Sequence, residues 1–373
     1  MKVAGAVGVS VLLLALFLVV KSHVDSPAIP QSRLWMEYAM QVVREKKPAP
    51  TESARLYASI ATIYYESLTD ARVNGVHERE VHANTRVQNF LNNVYPDLRA
   101  STSEFTRKNN MTIAAEHSEA APEDSIETYL QRYESDAQQR PLPHGKATKS
   151  NALWFDERKP FTPHAGQWKR WNLTRFDAQV PPPPRFMSKE HLSALKEVIT
   201  AATQRTVEQS ALVNFWGGVP GTEQPAGIWQ NRLFSEAQEK NLSNEKYAYA
   251  QMVLAQVIAD SFMECWKVKF IYNTKRPSMV APLIGEQVSL AMNNPPFPSY
   301  VSGHSTISRA AAVVLGALFP DKKERFYSDA ATAKNSRLWA GIHFPYDNDE
   351  GEKMGNRIGE YYVEHVLQLP FNR

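Results

Sequence analysis

The 373-residue chain holds a single cysteine, Cys265, which excludes an internal disulfide framework and any multi-cysteine metal site. That cysteine lies in an apolar helical run and reads as a small buried hydrophobe. An excess of either charge is lacking too. Lys+Arg number 42 against 39 Asp+Glu, a formal net charge of +3 spread along the chain. A nucleic-acid binder usually carries a clustered basic stripe. No stripe and no RNA- or DNA-reading motif is present, so no nucleic-acid partner is expected. The His/Asp/Glu spacing of a zinc site is missing, no repeat is visible, and alternating apolar strand patterns are scarce.

Only one long hydrophobic run exists. Residues 3–20 are uncharged and apolar between Lys2 and Lys21, and about 18 such residues can span a bilayer. A cleavable signal has a shorter apolar core, and the best small-x-small site, Ser26-Pro27-Ala28, is distant and contains proline. Residues 1–21 are therefore expected to form an uncleaved membrane anchor; cleavage would instead give a secreted protein. The positive amino end should stay cytoplasmic, placing the catalytic region outside that membrane, periplasmic or extracellular.

Behind the anchor, an apolar fraction of 43% supports a sizeable core. Apolar spacing predicts helices over 31–47 and 51–69, then, within a polar stretch reaching Asn151, over 86–95 and 122–137. The segment "HAGQWKRWNLTRFDAQVPPPPRF" is aromatic and proline-rich, with Pro181 to Pro184 a stiff polyproline spacer. Helices return over 188–214, 243–274, 304–319, 322–342 and 350–367. The fold class is all-α. We divide the chain into the anchor at 1–21, an N-terminal helical and proline-rich wrapping region at 31–187, and a helical-bundle catalytic region at 188–373.

Three places concentrate residues with a chemical motive. In "CWKVKFIYNTKRPS", Trp266, Lys269, Asn273 and Arg276 fall at helical steps of three, four and three, which predicts one helix face ended by Pro277. A polar, cationic stripe among apolar neighbours is costly if buried unpaired; as a surface face it would be ordinary. In "NPPFPSYVSGHSTISRAAAVVLGALFP", Ser302 and Gly303 precede a helix whose free N–H groups and dipole favour an anion, with His304 placed to give it a proton. The plainer alternative is a Ser302 cap and a structural histidine. In "NSRLWAGIHFPYDNDEG", Arg337 and His343 are six apart, which is not one helix face, so His343 must act from a bend, with Asp347 placed to hold its other ring nitrogen. Together these form the inventory that a tetrahedral oxyanion needs: three cations, a serine, a backbone nest and two histidines.

The pattern Lys-x6-Arg-Pro (Lys269, Arg276, Pro277), Ser-Gly-His (Ser302, Gly303, His304) and Ser-Arg-x5-His-x3-Asp (Ser336, Arg337, His343, Asp347) resembles the superfamily that joins type 2 phosphatidic acid phosphatases with vanadium-dependent haloperoxidases. All three blocks are present in order, over about residues 240–365. A softer likeness to the bacterial haloperoxidase-type members runs through "NFWGG", "PPPPRF" and the helices near Trp35 and Arg55. The resemblance implies a helical bundle of the vanadium haloperoxidase and acid phosphatase type around a central oxyanion. Lys269, Arg276 and Arg337 would bind its equatorial oxygens, and Ser302 and the Gly303 N–H would add hydrogen bonds. His304 would be the acid–base group. His343 would be the vanadium ligand of a peroxidase, or the nucleophile of a phosphatase, and Asp347 would orient it. Trp266 and Phe297 match aromatics lining the halide pocket of chloroperoxidase-like members.

Two positions depart from the family. Relatives often carry an acidic residue just after the Phe-Trp pair, where this chain has "FWGGVPG" from Phe215, which leaves Glu208 or Asp260 as candidate braces for Arg337. Val301 stands where proline is common. The reading that results is an anchored vanadium-dependent haloperoxidase-like enzyme, binding vanadate as cofactor and oxidising halide with hydrogen peroxide, with Lys269 polarising the peroxide. The alternative is a metal-free acid phosphatase that cleaves a phosphomonoester or lipid phosphate through phosphohistidine. Too many charges sit in the motif region for the multi-span lipid phosphatases. An inactive, tethered anion-binding protein is the third reading.

Overall fold

The computed structural model describes residues 29–114, 126–137 and 152–368. The expected anchor at 1–21 lies outside them, and no helix among the described residues is long and apolar enough to cross a membrane. Regular structure in these residues is helical, apart from one isolated bridge between Leu153 and Thr274. The first helices are α1 (Gln31–Lys46), α2 (Pro50–Leu68), α3 (Val76–Val94), α4 (Arg99–Lys108) and α5 (Glu127–Ala137). They are followed by α6 (Lys189–Thr203), α7 (Val207–Phe215), α8 (Gln224–Glu239) and α9 (Asn244–Tyr272). The chain ends in α10 (Pro277–Val280), α11 (Gly303–Leu318), α12 (Lys323–Trp339) and α13 (Pro345–His365).

The longest helix, α9, is the axis. Its 29 residues span about 43 Å. Ser243 caps its start by accepting the Lys246 N–H, and apolar residues occupy every face, so it is buried all round rather than along one stripe. α2, α8, α11 and α13 pack around it, and one continuous hydrophobic core runs from Trp35 to Leu367. α11 and α13 approach most closely. Gly351, Gly355 and Gly359 form a smooth ridge on α13, where a side chain at Gly351 would lie 2.7 Å from the Ser302 carbonyl and one at Gly355 would collide with that of Thr306. This ridge brings the starts of both helices together.

The segment from 152 to 187 runs along the C-terminal half of α9. Buried Asp260 holds it, accepting the N–H groups of Trp171 (2.7 Å), Asn172 (2.9 Å) and Leu173 (3.1 Å), together with the Tyr362 hydroxyl (2.8 Å). Farther on, the Val180 carbonyl accepts from the Tyr272 hydroxyl and that of Pro181 from the Tyr300 hydroxyl.

Several expected helices differ. The run over 188–214 is two helices, because Thr206 and Gln209 build a capping box that starts α7 afresh. α4 and α8 were not expected; the glycines and proline of "GGVPG" conceal the entry to α8. α3 begins ten residues before the predicted 86–95, at Val76. The face drawn through Trp266, Lys269, Asn273 and Arg276 is broken. α9 stops at Tyr272, where Asn273 adopts the left-handed conformation (φ 48°) and its N–H caps the Lys269 carbonyl. Pro277 therefore opens α10 at its first position instead of ending α9, and Arg276 before it is extended.

Replacing Asp260 by alanine strands the buried Leu173 N–H, the part-buried N–H groups of Trp171 and Asn172, and the buried Tyr362 hydroxyl. It should destabilise the protein by about 3 kcal/mol or more, read by urea denaturation. A loss below about 1 kcal/mol would show that the 171–173 turn is held by other contacts.

Candidate active site

Four helix ends meet at one buried point. The last turn of α9 brings Lys269, and the extended link to α10 brings Arg276. The first turn of α11 brings Gly303 and His304 behind the cap residue Ser302, whose hydroxyl accepts the Ser305 N–H. The last turn of α12 brings Arg337. Gly341, at φ 77°, turns the chain so that His343 lies beyond the helix and faces back, and the first turn of α13 brings Asp347. Lys269, Arg276, Ser302, Arg337 and Asp347 are fully buried, and His343 nearly so; His304 keeps a partly exposed edge. The residues singled out in the sequence thus converge, although Arg276 reaches the site from a loop rather than from the face of α9.

Backbone carbonyls, not carboxylates, hold the cations. Lys269 Nζ donates to the carbonyls of Pro298 (2.9 Å) and Ser299 (2.7 Å). Arg276 donates through Nε to Phe297 (3.1 Å) and through Nη1 to Ile342 (2.7 Å), while its buried Nη2 has no partner. Arg337 donates to the Ser336 hydroxyl (2.9 Å), the Val213 carbonyl (3.3 Å) and the Met292 sulfur (3.4 Å). Neither suggested brace reaches Arg337. Glu208 is exposed at the start of α7, and Asp260 is occupied by the 171–173 turn.

The one carboxylate present, Asp347, serves a histidine. Its Oδ2 accepts from His343 Nδ1 (3.0 Å), the Ser299 hydroxyl (2.5 Å) and the Phe344 N–H (3.0 Å). With Nδ1 donating, the lone pair of His343 is on Nε2, 3.4 Å from Arg276 Nη1. His304 Nε2 is 2.7 Å from the Trp216 carbonyl, which can only accept, so Nε2 carries the proton and Nδ1 the lone pair.

Burial penalises each of these charges. It draws Lys269 down to about 7, and Arg276 and Arg337 each to about 9. Burial likewise raises Asp347 to about 6, against the hydrogen bond from Ser299 and the attraction of Lys269. His304 and His343 fall well below the ordinary imidazole range, first through burial and then through the neighbouring cations. Three cations against one carboxylate, with an orphaned Arg276 Nη2 and a His343 Nε2 held only by a long 3.4 Å contact to Arg276 Nη1, fit a multiply charged oxyanion such as vanadate or phosphate. At Gly303 a Cβ would meet only ordinary contact, 3.6 Å from the Trp266 ring, so the protein's own packing does not demand glycine there.

Trp266 and Phe297 stand beside the cations with ring centroids 4.8 Å apart; Lys269 Nζ lies 5.3 Å from the Phe297 centroid and Arg276 Cζ 5.0 Å. Phe161 extends this wall, its ring beside Phe297 and its carbonyl accepting the Trp266 indole N–H. Phe161, Ser299, Met292 and the carbonyls of Trp216 and Val213 were absent from the sequence reading. Ser299 alone left a trace, as a polar residue within "PPFPSYVSGH"; carbonyls leave none.

The described residues thus form an all-α bundle that gathers buried cations and two histidines, one of them backed by a carboxylate. Residues 247–355 match the family model of the PAP2 superfamily. Among solved structures it is similar to a bacterial vanadium-dependent iodoperoxidase, with TM-score 0.65 and 19% identity over 91% of this chain and 97% of that one. It is similar also to a bacterial vanadium-dependent chloroperoxidase. The holo form gives TM-score 0.62 at 13% identity over 91% of this chain and 92% of that one. The apo form gives 0.63 at 11% over 92% and 96%. At these identities the likeness is one of fold. No curated protein matches the chain.

Sulfate does not titrate near neutrality, so the pH dependence of its binding comes from the protein: from Asp347 and the histidines below about pH 6, and from Lys269 above about pH 7. Below about pH 7 the ammonium is already charged; above it, anion binding must take up a proton. Sulfate affinity measured by calorimetry should fall by up to about tenfold per pH unit above pH 7, and should rise again below about pH 6 as Asp347 is neutralised. Lys269→Met should flatten that fall; an unchanged slope would remove Lys269 from the site.

Proposed function

We propose that this protein is a vanadium-dependent haloperoxidase-like enzyme that oxidises halide with hydrogen peroxide. The observation that carries the reading is the state of His304. Its Nε2–H is committed to a neutral carbonyl, its surroundings are cationic, and it therefore stays an uncharged base with a lone pair on Nδ1. Such a group removes a proton from hydrogen peroxide. A phosphomonoesterase needs the opposite at this position, an imidazolium that protonates the leaving group, and no carboxylate stands behind His304 to hold that proton.

His343 Nε2, Lys269, Arg276, Arg337, Ser302 and the Gly303 N–H would hold vanadate, which when bound supplies Lewis acidity toward the peroxide oxygens. Lys269 uses two of its three N–H bonds on carbonyls and has one left to polarise a peroxide oxygen. Asp347 fixes the tautomer of His343. The aromatic wall of Trp266, Phe297 and Phe161 keeps water from competing with a halide. Residues 3–20 would tether the enzyme to a membrane with the catalytic region on the outer side.

Protein purified without phosphate should halogenate a phenol only when orthovanadate, hydrogen peroxide and halide are all supplied. His304→Ala should lower the rate by about 10²–10⁴-fold, and His343→Ala should abolish the vanadate-dependent halogenation. Hydrolysis of p-nitrophenyl phosphate that vanadate inhibits, with no halogenation at any halide, would overturn the reading in favour of a phosphohistidine phosphatase.

A further inference from the structure

We propose that Met292 is an oxidation site that regulates the oxyanion pocket: hydrogen peroxide converts its thioether to a sulfoxide, and the new oxygen holds Arg337 away from the bound anion. The proposal rests on the oxyanion reading of the pocket but requires neither vanadium nor halide oxidation.

Arg337 is fully buried, and among the described residues no carboxylate pairs with it. Its Nη1 has the Met292 sulfur at 3.4 Å. A thioether is a weak acceptor, so that N–H is easily surrendered to an anion. A sulfoxide oxygen is a strong, polar acceptor on the same atom. Oxidation would thus turn the weakest contact of Arg337 into a firm one without adding charge.

The position is also reachable. Met292 is half-buried, with Asn293 exposed beside it and Leu290 38% exposed two residues earlier. It leans on a small cluster of Val213, Ala340 and Ile342, apart from the main core. The Ala291 N–H donates to the Ala340 carbonyl (3.2 Å), which ties this loop to the end of α12 that carries Arg337. Peroxide, the co-substrate of the proposed reaction, is the oxidant. The sulfur lone pair attacks one peroxide oxygen and the O–O bond breaks. The proton on the attacked oxygen passes to the departing one, giving methionine sulfoxide and water; sulfur loses two electrons and peroxide gains them.

The test uses the full-length, metal-free protein and orthophosphate as the anion. After peroxide treatment, peptide mass spectrometry should find Met292 one oxygen heavier at least as early as Met187, which is 37% exposed and serves as the surface reference. Calorimetry should show orthophosphate affinity about tenfold weaker, restored by a methionine sulfoxide reductase. Met292→Leu, nearly equal in volume, should lose the peroxide-induced fall. An unmodified Met292 when Met187 is fully oxidised would overturn the proposal. So would a sulfoxide at Met292 with unchanged affinity, or an equal fall in Met292→Leu. Failure of untreated protein to bind orthophosphate at all would instead overturn the reading of the pocket, and this proposal with it.

Discussion

The site depends on buried positive charge left without a counter-charge. Lys269, Arg276 and Arg337 lie out of water, and the single carboxylate among them, Asp347, is engaged by His343, Ser299 and the Phe344 N–H. Charges in such a place cost several kcal/mol each. The carbonyls of Phe297, Pro298, Ser299, Ile342 and Val213 offset part of that cost by accepting hydrogen bonds. A carbonyl orients a cation without adding a counter-charge, so what reduces the charge of Lys269 is burial and not pairing. Carboxylate partners would have given a more comfortable apo protein and a poorer anion trap.

Helix ends make that arrangement tolerable. Lys269 and Arg337 sit in the last turns of α9 and α12, where the helix dipole favours cations. The first turn of α11 points its free N–H groups into the same space, favouring the anion. Asp347 lies in the first turn of α13, where a negative charge is favoured. The glycine ridge of α13 lets these ends meet, and Asp260 fastens the proline-rich segment that closes over α9.

Among the described residues a backbone carbonyl, that of Trp216, and not a carboxylate, meets His304 Nε2. A carboxylate behind an imidazole stabilises its protonated form; the Trp216 carbonyl fixes a tautomer without doing so. Trp216 is itself held in place, its ring tilted 37° against that of Trp229 (centroids 5.8 Å apart), whose indole donates to Ser308 one turn beyond His304.

The sequence alone determined the residue types of the site, the order of its three blocks and the helical character of the chain. Spacing of apolar residues and of Lys269, Arg276, His304, Arg337, His343 and Asp347 is one-dimensional information, and helices are local structures that such periodicity encodes. The end of α9 at Asn273, the split at Thr206 and the helix after "GGVPG" were less legible, because single caps and turns override a periodic pattern. Only the tertiary structure decided which partners the charges have. The acceptors of Lys269 and Arg276, the Trp216 carbonyl on His304, the Ser299 hydroxyl on Asp347 and the Met292 sulfur on Arg337 come from distant stretches of chain. Every residue carries a carbonyl, so no sequence pattern marks the few that packing turns toward a buried cation.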